Sequence, residues 1–130
     1  MTLEHFAINT RQPQALLDFY TTHFGAEVQR WSDENVVLYF LDFGGGCRIE
    51  IEVRPEGRES SIDADQRIGL AHLAFLCTSR EELIEKTAAL EAAGVPVILQ
   101  PTAYGTDFFE SACLDPDGNK VELTVGKEYL

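Results

Sequence analysis

Two histidines and two glutamates occupy matching places in the two halves of this 130-residue chain. His5 lies in the segment LEHFAI near the start, and His72 lies in LAHLAF in the middle. Glu50 and Glu122 fall at the same position of two alternating segments, IEIEV and VELTV. Imidazole and carboxylate groups suit divalent transition metals such as Zn, Ni, Mn, Co and Fe(II). These four residues therefore indicate a metal site, provided that the fold brings them together.

The histidine and glutamate segments belong to an internal repeat that covers both halves. The segments 41–53 and 114–125 each begin with Leu-Asp, continue through a glycine-containing turn and end in an alternating strand. Asp115 to Asn119, DPDGN, is a tight-turn signal in which Pro presets φ and Gly118 supplies a positive φ. We therefore predict one α+β domain over 1–130 that consists of two βαβββ modules, 1–54 and 70–126, joined by a linker over 55–69.

Hydrophobic periodicity predicts the elements of each module. In the first module it predicts a helix from Pro13 to a cap at Gly25, and strands over 3–9, 27–31, 36–43 and 48–54. In the second it predicts a helix that Ser79 and Glu82 cap and that ends before Gly94, a loop over 101–107, and strands over 70–78, 96–100, 108–114 and 121–125.

Alternation along these strands puts both histidines and both glutamates on the face opposite the larger apolar residues. If the modules pair about a pseudo-twofold axis, the four side chains converge, and an octahedral ion keeps two positions for a bidentate substrate.

Taken singly, each His is more typical of a structural residue and each Glu of a solvated one. Glu52 shares the face of Glu50, but the repeat superimposes Glu52 on Thr124 and therefore favours Glu50. Glu110 and Asp107 are further acids, most simply explained as surface charge.

Composition excludes several classes of function. The net charge of −12 repels phosphate backbones, so neither nucleic acid nor an anionic membrane surface is an expected partner. The sequence contains no apolar run of the ~20 residues that a membrane span needs, and no leader. The three cysteines, Cys47, Cys77 and Cys113, lack metal or redox spacing. They predict reduced thiols and hence a cytoplasmic protein.

Five segments together resemble the vicinal oxygen chelate superfamily, which includes glyoxalase I, bleomycin-resistance proteins and extradiol dioxygenases: LEHFAI, LLDFYTTHFGAEV, RIEIEVRP, GLAHLAFLC and LDPDGNKVEL. The chain is most similar to the small bacterial glyoxalase-like branch. The resemblance implies a homodimer in which the modules form a cupped mixed sheet with the helices on its outer face. It also implies one divalent metal, Ni, Zn, Co, Mn or Fe, bound by His5, Glu50, His72 and Glu122.

The resemblance further implies a lyase or isomerase of the lactoylglutathione lyase type. Its metal acts as a Lewis acid on two adjacent substrate oxygens and stabilises an enediolate, while Glu122 moves a proton between neighbouring carbons. Tyr104, Phe108 and Phe109 are candidates for an apolar substrate pocket, although core or dimer packing also explains them. The few cations available for the glutathione carboxylates are Arg48, Arg54, Arg58 and Arg67, and of these Arg54 is included in the predicted substrate site.

Two other functions remain open. An Fe(II) dioxygenase of the extradiol type uses two histidines and one carboxylate, and Glu50 would then occupy a position that oxygen needs. A small-molecule or antibiotic-binding resistance protein would need no metal ligands, whereas four are present here. A fosfomycin-type transferase would need a cationic pocket that the sequence does not indicate.

Overall fold

The computed structural model describes residues 3–34, 36–56, 70, 72–106 and 108–126. The chain divides into two compact units, Met1–Ser60 and Ser61–Leu130. In the described residues, each unit contains a strand, a helix and three further strands, in this order along the chain. The prediction of two βαβββ modules in an α+β fold is therefore confirmed. Most of the predicted linker, including Arg58 and Arg67, and also Asp107, lie outside the described residues.

The first module is a four-stranded mixed sheet covered on one face by a helix. Its elements are β1 His5–Thr10, α1 Pro13–Phe24, β2 Glu27–Ser32, β3 Val37–Asp42 and β4 Arg48–Val53. The strand order is β1-β4-β3-β2, in which β1 and β4 run parallel and the other neighbours are antiparallel. The core lies between the sheet and α1, where Leu16, Tyr20, Leu41, Ile49 and Ile51 are buried.

The ends of α1 follow the predicted signals. Pro13 is the first helical residue, where the missing N–H costs no hydrogen bond. Gly25 terminates the helix in the left-handed conformation with φ 69°, and its N–H bonds to the Tyr20 carbonyl. This sharp stop allows β2 to begin two residues later and keeps the helix over the apolar face of the sheet.

The second module repeats this architecture with its own sheet. Its elements are β5 Leu73–Leu76, α2 Arg80–Ala92, β6 Val97–Tyr104, β7 Phe108–Leu114 and β8 Lys120–Gly126. The strand order is β5-β8-β7-β6, with the single parallel pair again between the first and last strands of the module. Val121, Leu123 and Val125 of β8 are buried on the face toward α2.

A buried polar contact fastens α2 to the sheet. Thr87 donates its hydroxyl proton to the Leu83 carbonyl and lies 2.7 Å from the Ser111 hydroxyl, Oγ to Oγ. At the start of the helix, the Ser79 hydroxyl accepts the N–H of Glu82, and the Glu82 carboxylate accepts the N–H of Thr78. The predicted capping box is thus present, with the carboxylate reaching one residue further back than in the usual motif.

Most strands begin or end within two residues of the prediction, and β5 and β6 differ by more. β6 continues through Pro101 to Tyr104, where the sequence predicted a loop. The register shifts between Leu99 and Thr102, so Pro101 lies in an irregularity of an edge strand, one of the places in a sheet that tolerate the missing N–H. β5 is shorter than predicted and covers Leu73–Leu76.

The three cysteines are free in the structure: Cys47 is half-buried, whereas Cys77 and Cys113 are buried. Burial raises the pKa of both buried thiols to about 11. These thiols are therefore protonated and unreactive at neutral pH. Among the described residues, no helix combines the length and the apolar character that crossing a membrane requires.

The turn before β8 is built around a buried aspartate. Asp115 is 4% exposed. Its Oδ1 accepts hydrogen bonds from the backbone N–H groups of Asp117 and Asn119, and its Oδ2 accepts one from the Asn119 side-chain amide. Gly118 has φ 78°, which the reversal of the chain requires. This turn sets the start of β8 and therefore the position of Glu122.

We expect Asp115→Asn to lower the free energy of unfolding by about 1–3 kcal/mol, because the substitution replaces a charged acceptor with a weaker one among buried donors. Urea unfolding measures the change. Asp33→Asn is the matched control, since Asp33 accepts the N–H of Val36 in an exposed turn. Equal losses in the two variants would contradict the role given to the buried turn.

Candidate functional site

In the first module, His5 and Glu50 form a close pair on the face of the sheet that α1 leaves uncovered. His5 Nε2 lies 3.1 Å from Glu50 Oε2. The parallel register places Glu50 opposite Ala7, so His5 reaches it diagonally across the small alanine side chain. The Glu50 side chain is 13% exposed and that of His5 is 41% exposed, so the imidazole forms the more open side of the pair.

His72 and Glu122 form the equivalent pair in the second module. His72 Nε2 lies 3.3 Å from Glu122 Oε2, and the side chains are 40% and 10% exposed. The register places Glu122 opposite Ala74, two residues after the histidine, as Ala7 follows His5. The repeat therefore reproduces the pair's geometry as well as its residue types.

Both pairs have the separation of neighbouring ligands on one metal ion. Nitrogen and oxygen atoms bound at about 2.1 Å and at right angles to each other are about 3.0 Å apart. The observed 3.1 Å and 3.3 Å separations match this value and equally match an ion pair. Among the described residues, no group of three or more His, Cys, Asp and Glu side chains forms a cluster that could hold a metal. Each module thus supplies two potential ligands of a type that fits a transition metal.

His5 lies between two carboxylates. Its Nδ1 contacts Glu4, while its Nε2 faces Glu50. A neutral imidazole has one N–H and can donate to only one of them. The other nitrogen then presents a lone pair to a carboxylate oxygen.

Glu4 connects this pair to a nearby arginine. The Glu4 carboxylate contacts Arg48 as well as His5. The hydrogen bond with His5, and next the one with Arg48, lower the pKa of the Glu4 carboxyl. The Arg48 guanidinium also lies over the Phe40 ring, 4.3 Å from its centroid. Glu4 is therefore ionised at neutral pH and directed toward His5.

In the second module a lysine contacts the glutamate itself. Lys120 Nζ lies 3.1 Å from Glu122 Oε1, while Oε2 faces His72. The two oxygens of Glu122 thus have different partners. Lys120 begins β8 and stands two residues before Glu122, as Arg48 stands before Glu50. The repeat therefore places a cation beside each glutamate, but the two cations have different partners.

The competing acid Glu52 has another partner. Its carboxylate contacts Arg54, which also donates through Nε to Asn9 Oδ1 at 3.1 Å. Asn9 is opposite Glu52 in the register of β1 and β4. Glu52 is therefore engaged away from His5, which supports the choice of Glu50. The Arg54 side chain is half exposed, and its contacts with Glu52 and Asn9 hold it in place.

The three aromatic residues predicted for a substrate pocket lie on opposite faces of the second sheet. Phe108 and Tyr104 are paired in the register at the ends of β7 and β6, and both are about half exposed. Phe109 instead faces α2, where it is 9% exposed and Arg80 lies 5.0 Å from its ring centroid. Glu122 has the strand parity of Phe108, so Phe109 lies on the opposite face of the sheet from Glu122. Glu110 lies on the Glu122 face, and Thr124 donates to it weakly at 3.5 Å.

Comparison with known proteins supports this view of the fold. Residues 2–123 match the family model of the Glyoxalase/Bleomycin resistance protein/Dioxygenase superfamily. The chain belongs to this superfamily. The resemblance found in the sequence is thereby confirmed, and with it the fold.

Individual members of the superfamily carry different activities. The chain is 30% identical over 125 residues to biphenyl-2,3-diol 1,2-dioxygenase 3 of Rhodococcus globerulus, matching 95% of this chain and 62% of that protein. It therefore spans about three fifths of the length of this curated relative.

Two solved structures share the fold at low identity. A glyoxylase/bleomycin resistance protein/dioxygenase domain from Frankia sp. EAN1pec superimposes with a TM-score of 0.82 at 21% identity, over 98% of this chain and 93% of that one. Lactoylglutathione lyase from Agrobacterium tumefaciens superimposes with a TM-score of 0.71 at 22% identity, over 98% and 96%. These likenesses establish the architecture and leave the reaction open.

Sequence reasoning did not identify Glu4 or Lys120 as parts of the site. A signal for Lys120 was present, because Arg48 and Lys120 occupy the same position of the repeat. A signal for Glu4 was also present, because Glu4 is adjacent to His5 and the second module has an alanine, Ala71, at the same position of the repeat. Neither signal predicts which partner a long side chain contacts.

Proposed function

We propose that this member of the superfamily is a divalent-metal-dependent lyase or isomerase of the glyoxalase type, with His5, Glu50, His72 and Glu122 as the ligands of one transition metal. Its substrate is a small molecule with two adjacent oxygens, of the kind that a keto aldehyde forms with a thiol. The single observation that carries the proposal is the position of His5 between two carboxylates, Glu4 and Glu50. A cation satisfies this arrangement, and the repeated His72–Glu122 pair offers the matching half.

The metal, when bound, supplies Lewis acidity toward the substrate oxygens. The residues of the chain provide positioning and proton transfer. The Glu122 carboxylate accepts the proton from one substrate carbon at Oε2 and returns it to the neighbouring carbon, so that no oxidant or reductant is consumed. Its low exposure keeps water away from the transferring oxygen. Glu50 remains beside His5 as the fixed carboxylate.

The aromatic pair at the ends of β6 and β7 supports a substrate with an apolar part. Tyr104 and Phe108 are exposed on the face that carries Glu122. Arg54 of the first module is one of the described candidates for binding a substrate carboxylate, and Glu52 already contacts it. This favours a substrate with fewer carboxylates than glutathione carries. The homodimer implied by the resemblance remains part of the proposal.

Metal analysis of protein purified without chelator tests the proposal first. We expect about one transition metal ion per chain, either as purified or after reconstitution with Ni, Co, Mn or Zn. The loaded protein is then screened against keto aldehydes combined with several thiols. If the wild-type protein binds no metal even after reconstitution, the enzymatic proposal fails. A ligand-binding function without a metal would then explain the fold better.

A dioxygenase is the second candidate function, because the chain is 30% identical to biphenyl-2,3-diol 1,2-dioxygenase 3 of Rhodococcus globerulus. Such an enzyme needs three protein ligands on Fe(II) and free positions for catechol and oxygen. Glu50 is the residue that separates the two functions. Oxygen consumption with a catechol and Fe(II), greater in Glu50→Ala than in wild type, would favour the dioxygenase. Turnover of a keto aldehyde adduct without oxygen would favour the glyoxalase type.

A further inference from the structure

The two His–Glu pairs have equal geometry but unequal surroundings. In the first module, a carboxylate contacts the histidine: Glu4 meets His5 Nδ1. In the second module, a cation contacts the glutamate: Lys120 Nζ meets Glu122 Oε1 at 3.1 Å. At the position of the repeat where the first module has Glu4, the second module has Ala71.

The two cations have different partners. Arg48 contacts the Glu4 carboxylate. Lys120 occupies the corresponding place in β8, and its ammonium group contacts Glu122. The side-chain exposure of Lys120 is 19%, so water screens this contact less than it screens a surface ion pair.

We propose that Glu4 and Lys120 are positioning residues that make the two pairs unequal. Glu4 fixes His5 as a permanent metal ligand. Lys120 holds one oxygen of Glu122, and the other oxygen of this carboxylate moves the proton. This inference rests on the proposed function, since it concerns the same four residues.

The role of Glu4 follows from the two nitrogens of His5. Donation of the Nδ1 proton to Glu4 fixes the tautomer in which Nε2 carries the lone pair, and it increases the basicity of that nitrogen. Nε2 is the atom that faces Glu50. Loss of a partner of this kind typically weakens metal binding about 10- to 100-fold.

The role of Lys120 follows from the two oxygens of Glu122. With Oε1 held by the ammonium group, only Oε2 faces the histidine. A carboxylate held in this way cannot bind a metal through both oxygens. When Oε2 takes up a proton from the substrate, Lys120 still fixes the side chain. In addition, a positive charge this close to a metal site weakens the binding of a cation.

The two residues thus have opposite expected effects on metal affinity. For Glu4→Gln, we expect the apparent Kd for Ni or Co, measured by competition with a chelator, to rise about 10- to 100-fold. The matched control is Glu27→Gln, which removes the same charge from an exposed position of the first sheet and is expected to leave the Kd unchanged. For Lys120→Met, we expect the Kd to fall about 3- to 10-fold, because a repelling charge is removed.

Turnover provides the second measurement for Lys120. We expect Lys120→Met to bind metal more tightly and yet turn over more slowly, because both oxygens of Glu122 can then bind the metal and neither is left for the proton. Lys120→Arg should recover part of the wild-type rate. The control is Lys86→Met on the exposed face of α2, expected to match wild type in both measurements. A merely structural role would weaken metal binding and turnover together.

The possible outcomes separate this inference from the proposed function. If wild type binds metal and Glu4→Gln binds it as tightly as Glu27→Gln, the role of Glu4 is wrong while the proposed function stands. Weaker metal binding in Lys120→Met overturns the role of Lys120 in the same way. Absence of metal from wild type overturns both proposals. Circular dichroism confirms that each variant is folded, and Glu4→Asp replaces Glu4→Gln if the latter does not fold.

Discussion

Glu122→Gln should lower kcat about 10²- to 10⁴-fold, the usual contribution of a general acid or base. The amide of glutamine keeps the size of the side chain and an oxygen ligand, but it cannot accept a proton from a carbon acid. The position of Glu122 makes this the largest single effect on turnover that we expect. Its side chain is 10% exposed and lies between His72 and Lys120.

Two measurements are needed to interpret this variant. The rate is measured with the keto aldehyde and thiol that are active in wild type, and the metal content is measured on the same preparation. We expect the metal to be retained while turnover is lost. Glu110→Gln is the discriminating comparison, because Glu110 lies on the same face of the sheet and the substitution removes the same charge. A loss of turnover in Glu110→Gln, with Glu122→Gln active, would transfer the role of base to Glu110.

The second large effect concerns metal binding. We expect His72→Ala to weaken the binding of the transition metal more than about 100-fold, since removal of a direct ligand exceeds the effect of removing its outer partner. His5→Ala should behave in the same way. Metal content after gel filtration, and chelator competition, measure the loss. Both variants are needed because each histidine belongs to a different module.

The third histidine of the chain provides the control. His23 lies in the last turn of α1, where its ring packs 5.3 Å from that of Phe19. We expect His23→Ala to keep the metal of wild type. Loss of metal in His5→Ala but not in His72→Ala would contradict the four-ligand site and would restrict the metal to the first module. Equal losses in all three variants would indicate binding that depends only on overall histidine content.

The agreement between sequence and structure is best for features with a fixed period. Alternation along a strand has a period of two, so the sequence assigns each side chain to one face once a neighbour is known to be buried. The burial of Val121 and Leu123 on one face therefore places Glu122 on the other. The repeat then identifies Glu50 as its counterpart, and the alanines opposite both glutamates leave room for both histidines.

Agreement is poorer where a side chain had more than one possible role. Phe108 and Phe109 are adjacent and equally apolar, and the sequence offered both a substrate pocket and core or dimer packing as explanations for them. Strand parity sends them to opposite faces, and the contact of Phe109 with Arg80 shows which face belongs to the core. Pro101 indicated a loop, but the edge position and irregular register of β6 accommodate it within the strand.

The sequence by itself determined the two modules, the order of their elements, the membership of the superfamily and the faces of His5, Glu50, His72 and Glu122. These features depend on periodicity, on turn residues and on the repeat, all of which can be recognised in the sequence without distances between strands. Only the tertiary structure decided which long side chain contacts which charge. Arg54 contacts Glu52, Glu4 contacts His5, and Lys120 contacts Glu122. Such choices depend on distances across neighbouring strands and on competition among flexible charged groups, which no local pattern encodes.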